Sequence, residues 1–135
     1  MTLRVSLVVP EGEVWTGDAD RVIAKTLDGD IGVLTGHTPV LGILAPGSVV
    51  RILPADFAAA GDWIQAAVGG GFLAVADDRV SILARQAVLG ADVDSRTTRA
   101  DLEEAVAAAV SSGEGEESHH VRYLRARLRA AGEDA

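Results

Sequence analysis

The chain has 135 residues, a formal net charge of −8 and no cysteine. That length holds one ordinary domain, or a domain with a small appendage, and the missing thiols exclude a disulfide framework and thiolate chemistry, which fits a reducing compartment. The acidic balance opposes a nucleic-acid partner, because neutralising phosphates takes clustered Lys and Arg, and no apolar run reaches the roughly 20 residues of a membrane helix, so a soluble chain is expected.

The first segment, Met1 to Val9, starts directly in an alternating pattern with no signal core or transit segment before it, so the mature protein is expected to begin here. Leu3, Val5, Leu7 and Val9 alternate with Arg4 and Ser6, the pattern of a half-buried strand. Pro10 to Glu13 reads as a turn, Val14 to Thr16 as a short strand, Gly17 to Asp20 as a second turn, and Arg21 to Leu27 as the next strand. Asp28-Gly29 is a hairpin dipeptide. It opens Asp28-Gly-Asp-Ile-Gly-Val-Leu-Thr-Gly-His-Thr-Pro-Val-Leu41, read as turn, short strand and shaped loop, because glycine tolerates close backbone approach and proline donates nothing to a ladder.

Val40 to Leu44 and Ser48 to Leu53 are expected to pair across Ala45-Pro-Gly47, whose order fits a type II turn. Pro54-Ala-Asp56 and Ala60-Gly-Asp62 mark a corner. Strands at Trp63 to Val68, Phe72 to Ala76 and Val80 to Leu83 follow, the last two joined across Asp77-Asp78. This spacing, with no long helical segment before Ala91, indicates an antiparallel β-sandwich or flattened barrel of about ten strands over residues 1–90. From residues 91 to 135 the pattern becomes helical. Asp94 or Ser95 caps a helix with Leu102, Val106 and Val110 on one face, and Ser111 to Ser118 stops it. A second helix, about His119 to Ala131, carries Val121, Leu124, Leu128 and Ala131. Two narrow apolar stripes predict an antiparallel helical hairpin that buries little area of its own.

Most candidate sites read as structure. Gly69-Gly-Gly71 lacks the following helix and Lys-Ser/Thr of a phosphate loop, and fits a bulge or close approach between sheets. His119 and His120 point about 100° apart on a helix and have no Cys or carboxylate at ligand spacing, so no metal site is expected. His37 has no Ser, Cys or Asp that the sequence places beside it, and no catalytic residue is assigned. Arg122, Arg125 and Arg129 fall within about 60° of one another on the second helix. They make either a solvated face offset by Glu114-Gly-Glu-Glu117 or a basic ridge for an acidic partner.

The segment from Asp28 to Leu41 resembles the Gly-Glu-Ile-Gly-Ile-Leu-Pro-Gly-His-Ala-Pro-Leu-Leu signature of the epsilon subunits of bacterial rotary, proton-translocating ATP synthases. Leu44-Ala-Pro-Gly-Ser-Val-Val-Arg-Ile52, Ala67-Val-Gly-Gly-Gly-Phe-Leu-Ala-Val75 and Val80-Ser-Ile-Leu-Ala84 continue the resemblance, which spans about the first two thirds of the chain. It implies a non-catalytic subunit of the central stalk, peripheral on the cytoplasmic side of the bacterial plasma membrane, that binds the gamma subunit and the c-ring and couples rotation to ATP synthesis. Asp30, Ile31, Thr35, Gly36 and His37 are then the expected gamma and c-ring contacts. The basic last helix, with Arg122, Arg125, Arg127 and Arg129, is expected to reach the alpha and beta subunits of the catalytic head and oppose ATP hydrolysis when the hairpin extends.

Some members of that family bind ATP as a regulatory ligand through Ile/Leu-Asp-x-x-Arg-Ala at the start of the hairpin. Val93-Asp-Ser-Arg-Thr-Thr-Arg-Ala100 has the elements, with Asp94, Arg96 and Arg99 as the candidate ligands, but two extra residues turn Arg99 by about 200° on a helix. No cofactor is otherwise implied. The alternative, a stand-alone β-sandwich that grips a ligand, calls for a cleft lined by aromatics, which Trp15, Trp63, Tyr123 and two phenylalanines supply poorly. A small hydrolase has no assignable nucleophile and base.

Overall fold

The computed structural model describes residues 2–55, 63–112 and 118–134. Nine strands are formed among them: β1 (Leu3–Val9), β2 (Gly12–Thr26), β3 (Gly29–Val33), β4 (Val40–Ile43), β5 (Ser48–Pro54), β6 (Ile64–Val68), β7 (Gly71–Ala76), β8 (Arg79–Ala84) and β9 (Ala87–Leu89). A 3-10 turn at Gly90–Asp92 leads to helices α1 (Ser95–Ser112) and α2 (His119–Ala130). The strand order is β4-β7-β8-β1-β2-β5-β6-β9, with β3 added against β2.

The long strand β2 joins the two layers of the sandwich. Its first part pairs with β1, and its second part pairs with both β3 and β5, across a register shift between Ala19 and Arg21. A bulge of this kind bends a strand and lets it pass from one sheet to the other. The turn expected at Gly17 to Asp20 is therefore continuous strand. Gly17 lies beneath the Trp15 ring, which occupies the space a Cβ would take, and Asp18 forms an exposed ion pair with Arg4 of β1 at 3.4 Å. An isolated antiparallel bridge between Thr26 and Leu44 ties the end of β2 to the residue that follows β4.

Two pairings differ from the sequence reading. β4 pairs with β7 and not with β5, because the Ala45-Pro-Gly47 turn, with Gly47 at φ +63, carries the chain from one layer to the other instead of folding it into a hairpin. β1 and β8 run parallel, so the sandwich is not wholly antiparallel. The Asp77-Asp78 hairpin forms as expected, both residues at positive φ, a conformation that Asp adopts more readily than most side chains. The short strand β9 has no signal of its own beyond three apolar residues. The corner expected over Asp56 and Ala60 to Asp62 lies outside the described residues.

The core is a single aliphatic cluster between the layers, including Leu3, Val5, Leu7, Val22, Val50, Ile52, Leu73, Val75 and Ile82. Burying each such side chain contributes about 1.5–3 kcal/mol. The hairpin lies folded on this sandwich, with α2 against β5, β6 and the 3-10 turn, and α1 packed on α2. One stripe of α2, Val121, Leu124 and Leu128, meets Leu102 of α1. A second, Tyr123, Ala126 and Ala130, packs with Ala67 of β6. α2 is thus apolar on two faces and not on one narrow stripe, and it is Ala130 that is buried, with Ala131 at the cap. On α1 the buried positions are Thr98, Leu102 and Ala109, whereas Val110 is exposed. Repeated steps of four advance about 40° each, so a stripe drawn through 102, 106 and 110 drifts off the contact face.

Candidate functional site

The most distinctive surface is apolar. Leu41 and Ile43 of β4, Phe72 of β7 and Leu83 of β8 are exposed, by 72%, 60%, 43% and 39% respectively. Ile43 stands opposite Phe72, and Phe72 opposite Leu83, so the three form one row across three strands. Leu41, two residues along β4, lies on the same face by strand alternation. The intervening residues Leu73 and Ile82 point into the core. These strands are therefore apolar on both faces, a pattern that belongs to strands covered on both sides. Exposed contiguous apolar area on a folded chain marks an interaction site. The sequence reading missed this patch because it paired β4 with β5; the available signal was the unbroken apolar run Val40-Leu-Gly-Ile-Leu44.

The loop from Leu34 to Pro39 borders this face, since it runs directly into β4. Gly36 is at φ +83, and its N–H donates to Asp78 Oδ1 at 2.6 Å. That bond ties the loop to the β7–β8 turn. The His37 N–H donates to Leu34 O at 3.1 Å, and His37 Nδ1 lies 2.6 Å from Thr38 O. Of the sequence-derived candidates, Asp30 and Gly36 are exposed, Thr35 and His37 are half-buried, and Ile31 packs in part against the core. Leu34 adds a further exposed apolar side chain to this end.

The arginines of α2 divide. Arg122, Arg125 and Arg129 line a cavity of about 780 Å³ between α2 and the sandwich, together with Lys25, Asp30, the Ala45–Gly47 turn and Arg51. Arg127 stands apart, its guanidinium 5.9 Å from the centre of the Tyr123 ring. Tyr123 is pushed above its ordinary pKa of 10.0 by burial, against a smaller opposing effect of the Arg127 charge.

At the start of α1, Asp94 Oδ1 accepts the Thr97 N–H at 3.1 Å and so caps the helix. This bond, with those of the Thr97 side chain and the Arg96 N–H, lowers its pKa below 3.8. Arg99 donates to Asp134 O at 3.2 Å, and Arg96 is exposed. Asp94, Arg96 and Arg99 do not line the cavity beside α2. Among the described residues no group of His, Cys, Asp or Glu could hold a metal ion, and no helix is long and apolar enough to cross a membrane.

Comparison with known proteins places this geometry. Residues 2–90 match the family described as the β-sandwich domain of the ATP synthase delta/epsilon chain. The ATP synthase epsilon chain of Thermobifida fusca is 50% identical over 130 residues, covering 96% of this chain and 91% of that protein. The epsilon chain of Frankia casuarinae is 54% identical over 89 residues, which are 66% of this chain and 99% of that protein. A third of the present chain has no counterpart there. In fold, a chain of the Euglena gracilis mitochondrial ATP synthase complex of OSCP, F1 and c-ring covers 98% of this chain, and 82% of its own, at a TM-score of 0.71 and 24% identity. On the sandwich match and the near full-length identity together, the chain belongs to the ATP synthase epsilon chain family.

Proposed function

We propose that this protein is a non-catalytic subunit of the central stalk of an F-type ATP synthase, docked through its sandwich on gamma and the c-ring. Within the membrane-bound complex it would sit peripherally on the cytoplasmic side of the bacterial plasma membrane. The observation that carries this reading is the exposed row of Ile43, Phe72 and Leu83 with Leu41 beside it. A face of this kind is stabilised by a permanent partner whose own apolar surface it covers. The Gly36–His37 loop at its border, braced by Asp78, would set the register of docking on the rotor.

The hairpin serves regulation. A family relative that lacks a third of this chain's length supports a division of labour in which the sandwich docks and the helices are an added control. Folded against β5 and β6, α2 keeps its basic side on the sandwich. Extended, it would bring Arg122, Arg125, Arg127 and Arg129 to the alpha and beta subunits and oppose ATP hydrolysis. A two-state element of this sort needs a gap of only a few kcal/mol, which a partner can tip.

Co-expression with gamma tests the docking. The chain should purify with gamma as a stoichiometric complex, and so should its residue 1–90 fragment if that fragment folds alone; separation of the intact chain from gamma on a sizing column would refute the assignment. Deleting residues 92–135 should raise ATP hydrolysis by the reassembled complex severalfold, and unchanged hydrolysis would remove the inhibitory role while leaving the docking intact.

A further inference from the structure

The loop between β3 and β4 is held in shape by one side chain from a distant hairpin. The His37 N–H donates to Leu34 O at 3.1 Å, which closes a four-residue turn with Thr35 and Gly36 at its centre. Gly36, at φ +83, fits the second central position of a type II turn, where positive φ is required. Type I and type II turns differ by a flip of the central peptide, here the one joining Thr35 to Gly36. The N–H of that peptide is the group that donates to Asp78 Oδ1 at 2.6 Å. Carbonyl and N–H of a trans peptide point in opposite directions, so the same bond turns the Thr35 carbonyl away from the β7–β8 hairpin. From this geometry we infer that Asp78 is the positioning residue of the docking loop. Its carboxylate selects the turn type, and so decides which backbone groups the loop offers to the rotor. The inference rests on the docking reading above and adds to it a residue from outside the loop.

Local turn chemistry does not account for Asp78. Ala76 pairs with Arg79, so Asp77 and Asp78 are the two central residues of a tight hairpin, at φ 52 and 59. Turns of this primed kind favour Asn-Gly or Asp-Gly, with glycine second. Glycine at position 78 would suit the hairpin better, but it would take the acceptor away from the Gly36 N–H. The carboxylate also stands on a fixed base. The Asp78 carbonyl accepts the Arg4 N–H at 2.9 Å, which ties the hairpin to β1, whose Leu3 and Val5 are fully buried. A charged acceptor on a rigid support orders a loop before its partner arrives, which removes part of the ordering cost from binding. Asp77 shares the backbone conformation but is exposed, and it serves as the matched control.

Binding of the full-length chain to a gamma–c-ring subcomplex tests the assignment, with the thermal transition and the exchange rate of the Gly36 amide, read by nuclear magnetic resonance, recorded for each variant. Asp78→Gly should keep or raise the thermal transition, speed Gly36 exchange about tenfold, and weaken binding to the subcomplex about fivefold to tenfold. That is the scale of one charge-assisted hydrogen bond lost where water can compete. Asp78→Asn should restore most of both, because its amide oxygen still accepts and Asn tolerates positive φ. Asp77→Gly should leave both as in the wild-type chain. The inference is overturned by undiminished binding of Asp78→Gly, by Gly36 exchange that the substitution leaves unchanged, or by equal weakening in Asp77→Gly. Failure of the wild-type chain to bind the subcomplex would instead refute the docking reading, and the inference with it.

Discussion

At the scale of single residues, two glycines decide whether α2 can lie where it does. A Cβ at Gly47 would collide with the backbone of Arg122, and one at Gly90 with the carbonyl of Ala130. Both contacts are to backbone, which cannot swing aside as a flexible side chain does. Gly90→Ala should therefore loosen α2 from the sandwich while leaving the aliphatic core untouched. Hydrogen exchange checks this: α2 amides should exchange much faster with β1 and β8 still protected, and α2 protection equal to wild type would contradict it. Tyr123 offers an independent reporter, being the only tyrosine in the chain. Its pKa is raised above 10.0 in the docked helix, so the protonated ring stabilises docking below its unfolded pKa, and that contribution is lost as pH rises through the higher folded value. Ultraviolet titration of tyrosinate should give a midpoint above 10.0 in the native chain and an ordinary one in Gly90→Ala; equal midpoints would mean that Tyr123 is not buried by docking.

At the scale of elements, the alternation of Leu3 to Val9 and the turn chemistry of Asp28-Gly29 and Asp77-Asp78 were enough to read a β-rich first part and several of its strands, because those signals are local. Pairing across the sandwich was not legible. The partner of β4 depends on where the Gly47 turn sends the chain, and the parallel match of β1 with β8 joins segments far apart in sequence. The continuity of β2 through Gly17 to Asp20 was hidden for a similar reason: turn-forming residues were overridden by pairing to β1 and β5. Of the site, the Gly36–His37 loop could be named from its resemblance, but the apolar row across β4, β7 and β8 could not, since a row exists only once register is known. The two apolar faces of α2 predict a graded response to truncation. Leu128 is fully buried and packs with Leu102, so Leu128→Ala should cost about 2–4 kcal/mol of local stability. The loss should appear as freer exchange in α1 with the sandwich unaffected, and simultaneous unfolding of β5 and β6 would show that hairpin and sandwich are one cooperative unit.

At the scale of the whole molecule, an aliphatic sandwich exposes an apolar row on β4, β7 and β8 and packs a helical hairpin against β5 and β6. Function then follows from which surfaces are covered in the assembled motor. The most direct measurement is the affinity of the purified gamma subunit for the intact chain and for its Ile43→Asp/Phe72→Asp double variant, with the thermal transition of each chain recorded alongside. Both side chains already face solvent, so the transition should move little while binding weakens on the order of a hundredfold or more, as loss of central apolar contacts does. Equal affinity of the two chains for gamma, with both folded, would contradict the account.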